Sequence, residues 1–356
     1  MDNNLKLTYL ILLLTLTFSC AENKKAERET NNSEIISAAN TDTLKFTSGI
    51  HCIFQDSKGN FWFGSHQEGV AVYNGKSFIY FTNNDGLTDN QIHSIQEDKE
   101  GIIWFNTQNG VSSYDGKTIK NRTKIEEAVP QGEWMKSGND LWFEAGTKEG
   151  VFRYDGQKIN YLAFPSYKSI NTNDNLFAVT SLSKGKNNMI WIGTYAGVFG
   201  YNGSDFTVIN DETLGFNRNT EPLHIRSLLE DSKGRLWIGN NGIGVLLKEG
   251  NSIINFSEEN NLIHPASGKK GDKSPPGTLE HVFTIAEDSQ GNIWFGDRDA
   301  GIWKYDGETM ENYTKEDGLT NDFVLSIYED NNEKLWFGMA DGTVYLFNGK
   351  TFEKQF

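Results

Sequence analysis

Short hydrophobic runs of strand length recur along this chain, each bounded by residues that favour turns. The second unit shows the pattern. Ile92–Glu97 reads as the alternating apolar and polar positions of a half-buried strand, and Asp98-Lys99-Glu100-Gly101 as a turn. Ile102–Asn106 is an apolar run around Trp104, followed by the turn pair Asn109-Gly110. Val111–Tyr114 predicts a third strand, Asp115-Gly116 a tight hairpin and Lys117–Thr123 a fourth strand. Four strands joined by three hairpins predict one antiparallel sheet.

The unit repeats about every 45 residues. Trp62, Trp104, Trp142, Trp191, Trp237, Trp294 and Trp336 mark it, each followed 12 to 14 positions later by a turn glycine, from Gly75 to Gly349. A single four-stranded sheet cannot bury both faces, so the units must stack around an axis. The predicted fold is all-β, a seven-bladed β-propeller of four-stranded antiparallel blades over 43–356. Each tryptophan is expected between blades, burying ~150–250 Å², or about 4–6 kcal/mol at ~25 cal/mol per Å² as an upper bound. The tryptophans read as core and not as a binding stripe.

The units Gln96–Trp104, Leu229–Gly239 and Ala286–Gly296, with the linkers Asp85-Gly86-Leu87-Thr88 and Asp317-Gly318-Leu319-Thr320, resemble the two-component regulator propeller repeat. The resemblance runs through all seven repeats and is strongest in the first, second, fifth, sixth and seventh. Blade 3 departs, with Ser137-Gly138-Asn139-Asp140 in place of the Asp-x-x-Gly turn and Glu144 in place of glycine. Blade 5 has Lys248-Glu249-Gly250 at its last hairpin. The resemblance implies a periplasmic sensor-like propeller of the kind that responds to glycans, here expected to stand alone.

Spacing locates a second expectation. From turn glycine to next tryptophan the count varies from 26 to 44, and the variation falls in the connections between blades. Those connections leave a four-stranded meander on the same face as the loops between strands two and three. Insertions gathered on one face are the usual place for binding. The long ones, Phe164–Asn175, Asn210–His224 and Ser257–His281, are expected to form a rim around the axial opening. Candidate ligand-binding residues are His66, Tyr167, Tyr195, Phe216, Arg218, His224, Asn241, His281, Asp297 and Arg298. Aromatic faces with Arg, Asn and carboxylates suit sugar rings and their hydroxyls. A concave pocket at Tyr195, Arg298 and His224 would favour a small ligand, and a flat apolar patch a protein partner. His51 and His93, at equivalent positions of their strands, read as scaffold.

Other chemistry is poorly supported. The six histidines show no metal-ligand spacing, no Asp-x-Asp-x-Asp calcium loop is present, and no cofactor is expected. Glu280-His281 could supply half of an acid–base pair with nothing beside it in sequence. Streptogramin lyases are similar in repeat style, but their paired-histidine and glutamate site has no recognisable counterpart, so a lyase or hydrolase is the weakest expectation. A net charge of −15, from 33 basic and 48 acidic residues, disfavours nucleic acid.

Leu7–Phe18 is an uncharged run too short to span a bilayer and suits a signal peptide over 1–19. Thr17-Phe18-Ser19-Cys20 resembles a lipoprotein box. Cys20 is then the expected lipid attachment site, 20–42 a polar tether, and the bacterial envelope the expected location. Partners are expected to be an oligosaccharide or small molecule, or an envelope protein. Cys52 reads as a small buried hydrophobe without a disulfide. Leu44-Lys45-Phe46-Thr47 matches the fourth-strand pattern of Phe78–Thr82 and offers a strand to latch blade 7.

Overall fold

The computed structural model describes residues 41–123, 134–164, 177–214, 223–265 and 273–356. Seven antiparallel sheets follow one another along the chain. Six have four strands in sequential order; the third shows three among the described residues, Leu141–Glu144, Gly150–Tyr154 and Ile159–Ala163. The first strands of neighbouring blades pack on one another, which places them around the axis. All seven repeat tryptophans lie on second strands and are buried between blades.

The first hairpin explains a constant of the sequence. In blade 1, Asp56 closes the turn by accepting the amides of Lys58 and Asn60 on one oxygen, at 3.0 and 2.8 Å. Its other oxygen accepts the indole N–H of Trp62 at 2.8 Å. The same bond joins Asp98 to Trp104, Asp231 to Trp237, Asp288 to Trp294 and Asp330 to Trp336. Six residues separate each pair because one carboxylate has to satisfy both the turn and the buried indole. Blade 3 has lost that turn, and its Asp140 instead binds Ser137 and Arg153.

The inner strands do not alternate strictly. Ile50 and Ile53, Ile92 and Ile95, and Val282 and Ile285 are buried three positions apart. A register shift lies between them in every described inner strand, at Ile50/Cys52, Ile92/Ser94, Val179/Ser181, Ile225/Ser227, Val282/Thr284 and Val324/Ser326. Each strand therefore carries a β-bulge at its second residue, a device that bends the strand and re-aims one side chain.

Closure differs from the expected latch. Blade 7 completes itself with Phe352–Lys354, and Leu44–Thr47 forms no strand there. The leading segment instead runs beside blade 1, with Phe78 N donating to Thr41 O at 2.8 Å and Lys45 N to the Tyr80 hydroxyl at 2.9 Å. Phe46 is buried between blades 1 and 7. The ring shuts with side chains. Phe356 packs edge-on against Phe63, Tyr73 and Phe78, and Ser326 Oγ donates to Ile50 O at 2.8 Å. Asn331 N donates to Gln55 Oε1, at the place where Ser57 N meets Glu97 between blades 1 and 2. Cys52 is a free thiol whose pKa burial pushes up to about 12.

Candidate functional site

The second-to-third-strand loops and the connections into each first strand share one face, as spacing implied. His66 N donates to Gly49 O, Gln108 N to Gln91 O, Arg298 N to His281 O and Ala340 N to Phe323 O. On that face the axis opens into a cavity of about 760 Å³. That volume suits a small molecule.

Its wall is built from two rings. The deeper ring consists of the bulge residues His51, His93, Thr180, Arg226, Phe283 and Leu325. The upper ring consists of residues that directly follow second strands: His66, Gln108, Tyr195, Arg298 and Ala340. The rings divide into sectors. Blades 1 and 2 supply imidazoles and amides, blades 4 to 6 supply Tyr195, Arg226, Phe283 and Arg298, and blade 7 supplies aliphatic surface.

The imidazole sector is tightly connected. His66 Nδ1 faces His51 Nε2 at 3.1 Å, and the His51 and His93 rings lie 6.5 Å apart. Burial first, then the nearby His66, His93 and Arg226, drive the His51 pKa down to about 3. His93 goes the other way. Burial opposes its cation, but the Glu144 carboxylate on its Nδ1 outweighs this and raises its pKa. Glu144, the last residue of Leu141–Glu144, reaches the cavity wall. Amides of blade 2 meet the backbone of this strand. Asn106 Oδ1 accepts Glu144 N at 2.9 Å, Asn106 Nδ2 donates to Glu144 O at 3.1 Å, and Gln96 Nε2 donates to Trp142 O at 2.8 Å.

In the opposite sector the Arg226 guanidinium lies 4.8 Å from the Phe283 ring centroid and 5.5 Å from that of Tyr195. Arg298 is held by Asp299 at 2.7 Å.

The candidates from sequence separate into groups. His66, Tyr195 and Arg298 are on the cavity wall. His224, Asn241, His281 and Asp297 are buried below the rim. Asp297 accepts the amides of Glu280, His281, Asp299 and Ala300, while burial pushes its pKa up to about 7. Ser274 Oγ, at 2.6 Å, and Asp299, at 3.8 Å, both lie on the Nδ1 side of His281, so the three do not form a nucleophile relay. Tyr167, Phe216, Arg218 and Cys20 lie outside the described residues, as do 1–19, most of the tether, and 165–176, 215–222 and 266–272 at the rim. His51 and His93, taken as scaffold from sequence, belong to the cavity wall. The one signal that marks them and Arg226 is the three-residue spacing of aliphatics in their first strands, Ile50 and Ile53, Ile92 and Ile95, Ile225 and Leu228. Among the described residues no group of three or more His, Cys, Asp and Glu side chains is placed to hold a metal ion.

The two component regulator propeller model matches five stretches, 45–67, 86–109, 221–242, 277–299 and 318–341. Blades 1, 2, 5, 6 and 7 thus each carry a stretch that matches the two component regulator propeller repeat. The propeller is also similar in fold to an extracellular domain assigned to a hybrid two component system of B. thetaiotaomicron. Identity there is 22%, TM-score 0.63, with 87% of this chain and 40% of that chain covered. The propeller thus spans well under half of that protein. Virginiamycin B lyase from Staphylococcus aureus is similar at 17% identity and TM-score 0.61, over 86% of this chain and 96% of that one. PorZ, a surface component of the type-IX secretion system of Porphyromonas gingivalis, is similar at 19% identity and TM-score 0.59, over 86% and 47%. No curated relative matches the chain by sequence.

Proposed function

We propose that this propeller is an exported, sensor-like binding protein that takes a small ligand, a glycan fragment, in the axial cavity. The observation that carries the reading is the inequality of the two rings. Six bulges hold the same backbone position, yet present His, His, Thr, Arg, Phe and Leu to one shared space. A purely structural ring would have no need of such variety at an open mouth. Imidazoles, amides and a phenol offer hydrogen bonds to hydroxyls, while Phe283 and Leu325 offer apolar faces to ring carbons. The repeat family and the extracellular domain above support export and sensing as the context.

A flat protein-docking surface has less behind it. Met135 is the large hydrophobic side chain exposed among the described residues, and one methionine makes no patch. We further propose that Cys20 carries a lipid that holds the propeller at the envelope. A Cys20→Ala chain that still partitioned with membranes would overturn that anchor.

A thermal-shift screen against glycan fragments tests the ligand reading. A true ligand at 100-fold over its Kd adds about 2.7 kcal/mol of stability. Tyr195→Ala should remove the shift while the unliganded protein keeps its melting temperature within a few degrees. No shift with any glycan, alongside co-purification of one envelope protein, would point to a docking platform instead.

A further inference from the structure

We propose that Arg226 is an anchor for a carboxylate, so that the ligand of the axial cavity is acidic. This rests on the ligand-binding reading above and narrows its chemistry.

The charged groups on the cavity wall are not equivalent. Glu144 is matched by His93 and Arg298 by Asp299. Elsewhere Arg153 is paired with Asp140 at 2.6 Å, Arg235 with Asp231 at 2.7 Å, and Arg122 donates to Ser113 Oγ at 2.7 Å. Arg226 has no carboxylate ion pair, and its side-chain hydrogen bond goes to the neutral phenol of Tyr195, which leaves its charge unmatched. Its Nε is buried and makes no hydrogen bond. A guanidinium carries five N–H donors in a planar fork, and stacking on aromatic rings satisfies none of them.

Position makes this unmet demand useful. Arg226 is a bulge residue, aimed at the axis by its backbone. Phe283 and Tyr195 hold the plane of its side chain, so little freedom is lost when an oxyanion arrives. A carboxylate fits the fork with two parallel N–H···O bonds. The protein as a whole carries −15, so an arginine without a carboxylate partner in the axial cavity selects against the general character of its surface. Partial dehydration at this depth strengthens the contact relative to an exposed pair. With the sugar chemistry proposed above, a uronic-acid residue meets both demands. Its acid group would lie on Arg226 and its hydroxyls towards the imidazoles and amides of blades 1 and 2.

The test compares matched probes by calorimetry on the propeller and on Arg226→Gln and Arg226→Lys. The probes are a digalacturonate, its neutral digalactose counterpart, and a non-sugar aryl carboxylate with its amide. The expected result is binding of the acid and not of the neutral sugar, weakened about 10- to 100-fold in Arg226→Gln. Arg226→Lys should recover part of the loss, since it keeps the charge without the fork, and it guards against a folding defect in the glutamine variant. Equal binding of neutral and acidic sugar, unchanged in Arg226→Gln, overturns the anchor and leaves the sugar reading standing. Binding of the aryl acid over its amide, with no sugar bound, keeps the anchor and overturns the sugar. No preference for acid over neutral in either pair overturns the anchor.

Discussion

The seam between blades 5 and 6 and the seam between blades 2 and 3 solve the same problem differently. At the first, Trp237 packs on Phe295 and the next residue but one is Gly239, whose added Cβ would come within 3.0 Å of Val282. The neighbouring inner strand needs that space. At the second, Trp104 packs on Phe143 and Tyr154, but the equivalent of the glycine is Asn106. Its amide pairs with the backbone of Glu144, where no inner strand is described. The outer part of a seam is thus interchangeable apolar packing. The inner part is a question of satisfying a strand edge, and side-chain amides can answer it. Where they do, a residue such as Glu144 becomes available to the cavity.

Breaking the shared half of this comparison should give the largest effect. Trp237→Ala and Trp104→Ala should each cost about 3–5 kcal/mol in denaturant unfolding, because each deletes a buried indole. Unequal losses, with Trp104 nearly silent, would show that the outer halves are not equivalent after all. The divided half comes next. Asn106→Leu should cost about 2–3 kcal/mol by leaving the N–H and C=O of Glu144 unpaired. A loss near zero would mean that this edge is satisfied without the amide.

The smallest effect is electrostatic and sharpens the contrast between the two cavity walls. His51 is held neutral, near 3, against an unfolded value of 6.5. Below pH 6.5 the unfolded chain therefore binds protons that the fold refuses, and stability falls as pH drops towards 3. Between pH 7 and 5 this amounts to about 2 kcal/mol. His51→Gln should lose that much less over the same interval in paired unfolding curves. His93 has the opposite sign: its raised pKa contributes stability at low pH that disappears as pH climbs through the folded value. Parallel curves for the wild type and His51→Gln would refute the buried, neutral assignment.

Blade number, hairpins, tryptophan placement and the shared loop face were all legible, because each rests on local turn chemistry repeated seven times. The bulge was not. Ile50-His51-Cys52-Ile53 passes for an alternating strand unless the three-residue gap between isoleucines is weighed against a period of two. A period of two puts His51 and His93 in the scaffold, whereas the bulge aims them at the axis. His224, Asn241, His281 and Asp297 are the reverse case. Asp297 ends the strand Ile293–Asp297 instead of lying in the loop, and the buried polar web around it draws on residues from 274 to 300 that no local pattern connects. The closing segment is misleading for a similar reason. Leu44–Thr47 has strand-like residues, yet blade 7 already possesses a fourth strand, so hydrophobic Phe46 finds burial at the seam instead.

The bulge ring separates what the chain must conserve to fold from what it can change. An extra residue in a strand is aimed by backbone geometry, and its neighbours on either side, such as Ile50 and Cys52 or Ile225 and Ser227, carry the packing against adjacent blades. The side chain at the bulge faces the axis, and several reach the next blade, as Thr180 Oγ1 does in donating to Ile225 O at 2.8 Å. Six such positions act as letters on a fixed frame, read in neighbouring pairs as Arg226 and Phe283 are, and a new specificity needs only a different spelling.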